Sequence, residues 1–189
     1  MSRLLLGLLL GLSVHVATVP AASAATSQVP ARYGLALLGG TAYDPNGFAL
    51  GLVQGFALFD YDQVVFWHEA PDDLRLRVEG SLGLADRQGG RAMAAVNILA
   101  FKYLDRYAGV GWRPYLEGGI GVIYTDFQVD GQGLRVNFNP QAGAGVEWAA
   151  ADGRAVQAGL RFHHISNSGF HEDNRGINSV LFMAGWLFP

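Results

Sequence analysis

The stretch Phe162–Asp173, which reads FHHISNSGFHED, combines residue types that could carry out ester chemistry. His164 and Ser166 are two positions apart, so on a β-strand their side chains share one face. A histidine in this position can act as general base to a serine nucleophile. Neighbouring histidine and serine residues are common, however, and the same stretch also suits a polar loop. The strand face on which the residues lie separates the two interpretations.

The composition favours a membrane protein over a soluble domain. The chain has 189 residues, of which 50% are hydrophobic and 15% charged, with 26 glycines. These values are apolar and glycine-rich for a soluble domain. A net charge of −3 indicates no nucleic-acid partner. The absence of cysteine excludes disulfides, a cysteine nucleophile and thiolate metal sites.

The first residues resemble an export signal. An apolar run over 4–19 is followed by the small residues Ala22, Ser23 and Ala24. We expect a signal peptide over 1–24, cleaved after Ala24, and one β-barrel domain over 25–189. A retained membrane anchor is the alternative, although the run is short for a spanning helix. No later stretch is long and apolar enough to span a membrane as a helix, so the mature chain would enter one as strands.

The remaining sequence predicts an all-β fold. Turn-rich stretches such as DPNG, APDD, DGQG and ADG recur at the spacing of hairpins. Glycines interrupt nearly every window in which helical periodicity could develop. The segments between the turns predict eight strands, over 33–42, 49–62, 73–85, 92–104, 112–126, 134–149, 153–166 and 177–188.

Polar and apolar residues alternate within these segments. In 73–85, Leu82 and Leu84 lie opposite Arg77 and Glu79. An even strand number, with one apolar face and one polar face, predicts an eight-stranded antiparallel transmembrane β-barrel. Closure would pair every edge, and side chains would fill the interior. A soluble sandwich or lipocalin-like barrel also alternates, with its apolar face inward, and parity alone does not separate the two.

Two further patterns bear on this choice. The segments 49–62 and 92–104 are ambiguous, because Gln54 and Asn97 would lie among apolar neighbours. The end of the chain, VLFMAGWLFP, resembles the aromatic-terminated last strand of outer-membrane barrels, although Pro189 follows the final aromatic. The last strand therefore favours the membrane barrel.

His164 and Ser166 follow the apolar row of the segment 153–166, which includes Leu160 and Phe162. If that row faces lipid, the pair does too, and its desolvation is unfavourable unless the pair is partnered. With both termini periplasmic, Ser166 would lie at the outer end of its strand. Asn178 could approach the pair across the last hairpin.

The runs HISNSG, over 164–169, and NRGINS, over 174–179, resemble the outer-membrane lipid A 3-O-deacylases, the PagL family of acyloxyacyl hydrolases. The resemblance implies that Ser166 is the nucleophile and His164 its base. It also implies that the Asn167 side chain and the Gly169 backbone amide stabilise the oxyanion. Some members place a glutamate where this chain has Asn178.

The identity of the third catalytic residue stays open at this point. Asn178 shares the strand face of His164, and an amide can fix a histidine tautomer, although it stabilises an imidazolium less than a carboxylate does. Glu172 and Asp173 are nearby alternatives that could instead be solvated loop charges. The pair could also work without a third residue.

The resemblance implies a serine esterase in the outer membrane of a Gram-negative cell. It would remove the ester-linked 3-hydroxyacyl chain from the 3 position of lipid A in the outer leaflet. No cofactor or metal is required, and the expected partners are lipopolysaccharide and membrane lipids, with a homodimer left open. The alternatives are a non-enzymatic barrel with a structural or adhesive role, and a soluble lipid-binding barrel.

Other polar and aromatic residues have simpler interpretations. His163 points to the opposite face, where Glu117 or Glu147 is the expected partner. His68, Glu69 and His171 are expected in or near external loops, without the spacing of a metal site. The tryptophans are expected to form interfacial girdles, namely Trp67, Trp112, Trp148 and Trp186.

Overall fold

The computed structural model describes residues 32–64, 69–87 and 89–189. The expected signal peptide and its cleavage after Ala24 lie outside these residues. Trp67 and His68 lie outside them as well. The described residues form one antiparallel sheet that closes on itself.

Nine hydrogen-bonded segments make up the sheet. They are β1 (Arg32–Asp44), β2 (Asn46–Asp60), β3 (Leu74–Ala85), β4 (Arg91–Tyr103), β5 (Trp112–Thr125), β6 (Val136–Phe138), β7 (Gln141–Ala149), β8 (Ala155–Ile165) and β9 (Ile177–Phe188). A one-turn helix, α1 (Tyr61–Val64), follows β2, and a 3-10 turn, Asp105–Tyr107, follows β4. Among the described residues, no helix is long and apolar enough to cross a membrane.

The topology confirms the predicted eight-stranded barrel. When β6 and β7 are taken together as one strand, each strand pairs with its neighbours in sequence, and β1 pairs with β9, so the sheet has no free edge. The short β6 and the longer β7 both pair with β5 and together take the place of one of the eight predicted strands. Closure leaves the backbone donors and acceptors partnered within the barrel, as a lipid environment demands.

The predicted strand boundaries agree with the structure to within a few residues. One predicted strand, 134–149, is divided at Asn139 and Pro140 into β6 and β7. Proline has no N–H to donate to a strand ladder, which explains the interruption. The end of the predicted strand 49–62 is also wrong, because Tyr61 and Asp62 begin α1.

In the described residues, buried polar side chains point into the barrel and exposed apolar side chains point out, as the predicted parity requires. This arrangement excludes the alternative of a soluble barrel. Leu82 and Leu84 are 69% and 61% exposed on the outer surface, whereas Arg77 and Glu79 are fully buried. A soluble barrel would show the reverse arrangement. The two ambiguous segments follow the same rule, since Gln54 and Asn97 point inward, where Gln54 contacts Ser81 and Asn97 contacts Glu79.

Charged side chains fill the middle of the barrel. Arg161 bonds to Glu79 at 2.8 Å and to Glu117 at 2.8 Å, while Arg77 bonds to Glu79 at 3.0 Å. Arg77 also lies 3.6 Å from Glu117, so two cations and two anions balance one another. This packed core agrees with the expectation that side chains fill a barrel of this size.

The barrel has two distinct rims. At the terminal rim Tyr33 pairs with Phe188, and at the opposite, distal rim the loops 126–135 and 166–176 leave the sheet. Glu69 belongs to the connection between β2 and β3, which lies at the terminal rim. The expectation that Glu69 and His171 share one side is therefore wrong, because strand direction alternates and His171 lies in a distal loop.

Three tryptophans mark the terminal rim. Trp112 and Trp148 pair directly across β5 and β7, and Trp186 lies near the end of β9. All three are exposed on the outer surface. They are placed as a single aromatic girdle would be at a membrane interface.

Candidate functional site

His164 lies at the distal end of β8 with its side chain on the outer surface. Its backbone N–H donates to the carbonyl of Pro140 at 3.0 Å, which fixes the strand at the point where β7 begins. On the same strand Phe162 is 54% exposed, whereas Arg161 and His163 are buried inside. The predicted parity is confirmed here, so His164 belongs to the apolar outer row.

Asn178 on β9 contacts the imidazole. It is the register partner of His164 across the last hairpin, and its Oδ1 lies 2.6 Å from His164 Nδ1. Directly opposite residues of an antiparallel pair have side chains close enough to interact. The structure thus brings together the histidine and the residue that strand parity favoured as its partner.

The carboxylate of Asp44, at the end of β1, contacts the other side of the Asn178 amide. Asn178 Nδ2 donates to Asp44 Oδ2 at 3.2 Å, and Arg175 Nη2 donates to Asp44 Oδ1. A carboxylate only accepts, so the amide must turn its NH₂ group to Asp44 and its oxygen to His164. The oxygen then accepts from Nδ1–H, which leaves Nε2 with a free lone pair.

Ser166 follows directly after β8 and is held by backbone pairing. Its N–H donates to the carbonyl of Phe138 at 3.1 Å, and the Phe138 N–H donates to its carbonyl at 2.8 Å. The His164 ring is hydrogen-bonded to Asn178 and, among the described residues, not to the Ser166 hydroxyl. Alternate positions on a strand are about 6.6 Å apart, so a direct contact depends on side-chain rotation.

Asn167 is buried and organises the distal loop. Its Nδ2 donates to the carbonyls of Gln132, at 3.0 Å, and Asp173, at 2.7 Å. Its Oδ1 accepts from the Gly169 N–H at 3.0 Å. The two groups expected to bind an oxyanion thus lie within three residues of Ser166 and are bonded to each other, and the Asn167 side chain also donates to two loop carbonyls.

The loop 126–135 supports the loop 166–176 from below. The Arg175 N–H donates to the carbonyl of Gly131 at 2.6 Å. Gly133 lies so close to the second loop that an added Cβ would be 2.3 Å from the Asp173 carbonyl oxygen. Phe127 and Val129 anchor the first loop in the barrel mouth, where both are buried.

Glu172 and Asp173 lie in the distal loop and are exposed. Within the described residues, neither carboxylate bonds to His164, whose ring contacts Asn178 instead. The backbone of Asp173 has a structural role, because its N–H donates to His171 Nδ1 at 3.0 Å and its carbonyl accepts from Asn167. Of the three candidates for the third residue, the structure places only Asn178 against the histidine.

The surroundings of His164 are apolar and partly concave. A groove of about 290 Å³ opens beside the imidazole, with Tyr43, Ala142 and Phe162 among the residues along it. Phe170 from the distal loop packs against Phe138, with the ring centroids 5.8 Å apart. The groove thus lies beside His164 and Asn178 on the outer surface.

The partner expected for His163 is wrong. The ring is buried inside the barrel, and its Nδ1 lies 2.9 Å from the hydroxyl of Ser179. Glu117 is bonded to Arg161 instead, and Glu147 to Arg32 at 2.7 Å. Ser179 is the register partner of His163 on β9, so the nearest neighbour across the ladder takes precedence over more distant charges.

Sequence reasoning missed Asp44 and Gly176. An added Cβ at Gly176 would lie 2.6 Å from His164 Cε1, so the glycine makes room for the imidazole. Gly176 is part of the run NRGINS that carries the family resemblance, but only the structure shows that it lies against the His164 ring. Asp44 gave no signal, because its even position in β1 predicts an inward side chain.

Comparisons with known proteins identify a family and a shared fold. The family model described as lipid A 3-O-deacylase (PagL) matches residues 53–186. The crystal structure of the outer membrane enzyme PagL is 21% identical, with a TM-score of 0.57, covering 82% of this chain and 99% of that one. Neisserial surface protein A is 14% identical, with a TM-score of 0.59, covering 83% and 94%. The two structures share the barrel fold. No curated protein matches the chain.

Proposed function

Because the chain belongs to the lipid A 3-O-deacylase (PagL) family, we propose that it is an outer-membrane serine esterase that deacylates lipid A. Its substrate is the ester-linked 3-hydroxyacyl chain at the 3 position, in the outer leaflet. The distal rim then faces the cell exterior and the terminal rim faces the periplasm. The reaction needs neither a metal nor a cofactor, since serine, histidine and water supply every group.

His164 acts as the general base. Its Nε2 takes the proton of the Ser166 hydroxyl while Oγ attacks the ester carbonyl and forms a tetrahedral intermediate. The bond between the acyl carbon and the 3-oxygen of the sugar then breaks, and His164 passes the same proton to that oxygen, which leaves as the 3-hydroxyl group of the sugar. Water, deprotonated by His164, then attacks the acyl carbon of the acyl-serine. The bond from that carbon to Oγ breaks, His164 returns the proton to Oγ, and the free 3-hydroxy fatty acid leaves.

The Nδ1–Asn178 hydrogen bond is the observation that carries this proposal. A histidine whose Nδ1–H is held by an acceptor presents the unprotonated Nε2 that a general base needs. The ring lies on the outer, apolar surface, two residues from Ser166. Polar side chains on that surface are unfavourable unless they are hydrogen-bonded, and a role in reacting with a lipid substrate would explain why they lie there.

Asn167 Nδ2 and the Gly169 N–H are the proposed oxyanion donors. Both already donate within the loop, so the carbonyl of a bound substrate must compete with those acceptors. A developing negative charge is a stronger acceptor than a neutral carbonyl, which favours the exchange in the transition state. Donors of this kind contribute roughly 3–4 kcal/mol to catalysis.

Mass spectrometry of lipid A from cells with and without the protein tests the proposal. Wild-type protein should remove one 3-hydroxyacyl group, whereas Ser166→Ala and His164→Ala should abolish the reaction and leave a folded, heat-modifiable barrel. His163→Ala is the matched control, because His163 is the preceding histidine but faces the interior. It should keep most of the activity.

Deacylation by the Ser166→Ala variant at the wild-type rate would refute the mechanism. Unchanged lipid A in cells that contain folded wild-type protein would instead favour a barrel without enzymatic activity.

A further inference from the structure

A β-bulge gives Asp44 its position. Along β1, Ala42 pairs with Ser179 and Asp44 pairs with Asn178, so Tyr43 is an extra residue without a partner on β9. Even-numbered residues of β1 such as Ala36, Leu38 and Ala42 are buried inside the barrel. Bulges occur next to active sites, where they re-aim a side chain. Here the bulge turns Asp44 to the outer face.

The re-aimed carboxylate completes a chain of hydrogen bonds. Arg175 donates to Asp44, Asn178 Nδ2 donates to Asp44 at 3.2 Å, and Asn178 Oδ1 lies 2.6 Å from His164 Nδ1. The polarity of the chain is set at Asp44, because an ionised carboxylate cannot donate. An asparagine alone has no such preference, since its amide could present either end to the imidazole.

We propose that Asp44 is a positioning residue of the esterase site, which fixes the tautomer of His164 through the Asn178 amide. This inference rests on the proposed function. Asp44 does not touch the histidine or the substrate. Its negative charge acts on the ring only through the orientation of the intervening amide, and Arg175 holds the carboxylate in place.

The arrangement also predicts how the site responds to a carboxylate at 178. In Asn178→Glu, the new carboxylate would take the place of an amide nitrogen that lies 3.2 Å from Asp44 Oδ2. Two carboxylates at that separation disfavour each other's ionised form. The single variant should therefore lose activity, and neutralising Asp44 in the same chain should restore it.

The first experiment reads the tautomer directly. Nitrogen-15 NMR of the barrel in detergent micelles, at about pH 8.5 where a histidine is ordinarily neutral, distinguishes Nδ1–H from Nε2–H. The His164 signal is assigned by its absence in His164→Ala. We expect Nδ1–H alone in the wild type and a mixture in Asp44→Asn. An Nε2–H wild type, or an Asp44→Asn spectrum identical to the wild type, would overturn the proposal.

Asp105→Asn is the matched control. Asp105 has a similar side-chain exposure to Asp44, 49% against 48%, and its arginine partner Arg113 lies 2.7 Å away. It lies at the terminal rim, so its neutralisation removes an exposed ion pair far from His164. The tautomer and the activity should stay those of the wild type.

The second experiment is a double-mutant cycle on lipid A turnover in mixed micelles. Asp44→Asn should lower kcat by about 10- to 100-fold, the loss that follows when the partner orienting a metal-bound histidine is removed, with KM unchanged. Asn178→Glu alone should also lower kcat, and the double variant should exceed both single variants. Full activity of Asn178→Glu, with no gain in the double variant, would refute the role of Asp44.

Failure of the proposed function gives a different pattern. If wild-type protein leaves lipid A intact, the esterase assignment fails whatever Asp44 does. The tautomer measurement needs no turnover, so it still decides whether Asp44 orients the ring. If lipid A is deacylated but Asp44→Asn matches the wild type in both tautomer and kcat, only the inference about Asp44 fails.

Discussion

Gly176→Ala should disable the site without unfolding the barrel. The added Cβ would lie 2.6 Å from His164 Cε1 and 3.2 Å from Nε2, whereas ordinary contacts begin near 3.4 Å. The ring must therefore move by about 0.8 Å. A misplacement of about 1 Å can lower a rate about 100-fold. We expect a loss of that order in kcat.

The cause of this loss is steric and confined to the imidazole. Gly176 does not have a positive φ, so alanine introduces no backbone strain there. The ring cannot move freely, because its 2.6 Å bond to Asn178 would stretch or bend. The fall should appear in kcat more than in KM, since Tyr43, Ala142 and Phe162, which line the groove beside His164, are not altered.

The assay is turnover of lipid A in mixed micelles, together with heat-modifiability as a measure of folding. Gly51→Ala is the matched control, because an added Cβ there meets no atom within 4 Å. It should keep the wild-type kcat. A folded Gly176→Ala protein with wild-type kcat would show that catalysis does not require His164 where the structure places it.

Two predictions concern the barrel wall and core. Leu160→Arg should reduce the free energy of unfolding in lipid vesicles by about 2–4 kcal/mol if Leu160 lies near the midplane, and a negligible loss in a urea titration would contradict its lipid-facing placement. Arg161→Met should cost about 3–5 kcal/mol, because it leaves the buried carboxylates of Glu79 and Glu117 short of a cation. Adding Glu117→Gln should recover part of that loss, and no recovery in the same titration would contradict the ion-cluster explanation.

The barrel and the face of the catalytic pair could be predicted because one rule governs both. Side chains alternate with a period of two, so an error of one residue would bury Leu82 and expose Arg77. The long antiparallel strands keep this alternation from the first strand to the last, apart from the bulge in β1. The outward placement of His164 and its approach to Asn178 follow from the same count.

The remaining contacts could not be predicted, because they depend on departures from that rule or on distances between strands. The bulge at Tyr43 turns the Asp44 side chain from the inner to the outer face, and no residue in the stretch DPNG predicts this bulge. The predicted partner of His163 was wrong because the strand register places Ser179, not Glu117, directly opposite it. This register cannot be read from composition. Gly176 is one of 26 glycines, and its contact with a ring becomes evident only in three dimensions.

The Asp44–Asn178 arrangement has a physical rationale on a lipid-facing wall. A carboxylate directly against His164 would hold a charge on the apolar surface, where desolvation of an ionised group is strongly unfavourable. Asn178 is neutral and only half-buried, and the charge lies one step further out on Asp44, which is half exposed and paired with Arg175. The charge thereby stays hydrated, while the intervening amide still transmits its hydrogen-bond polarity to the ring. The compensation is incomplete, because a more distant carboxylate stabilises the imidazolium less than one in direct contact.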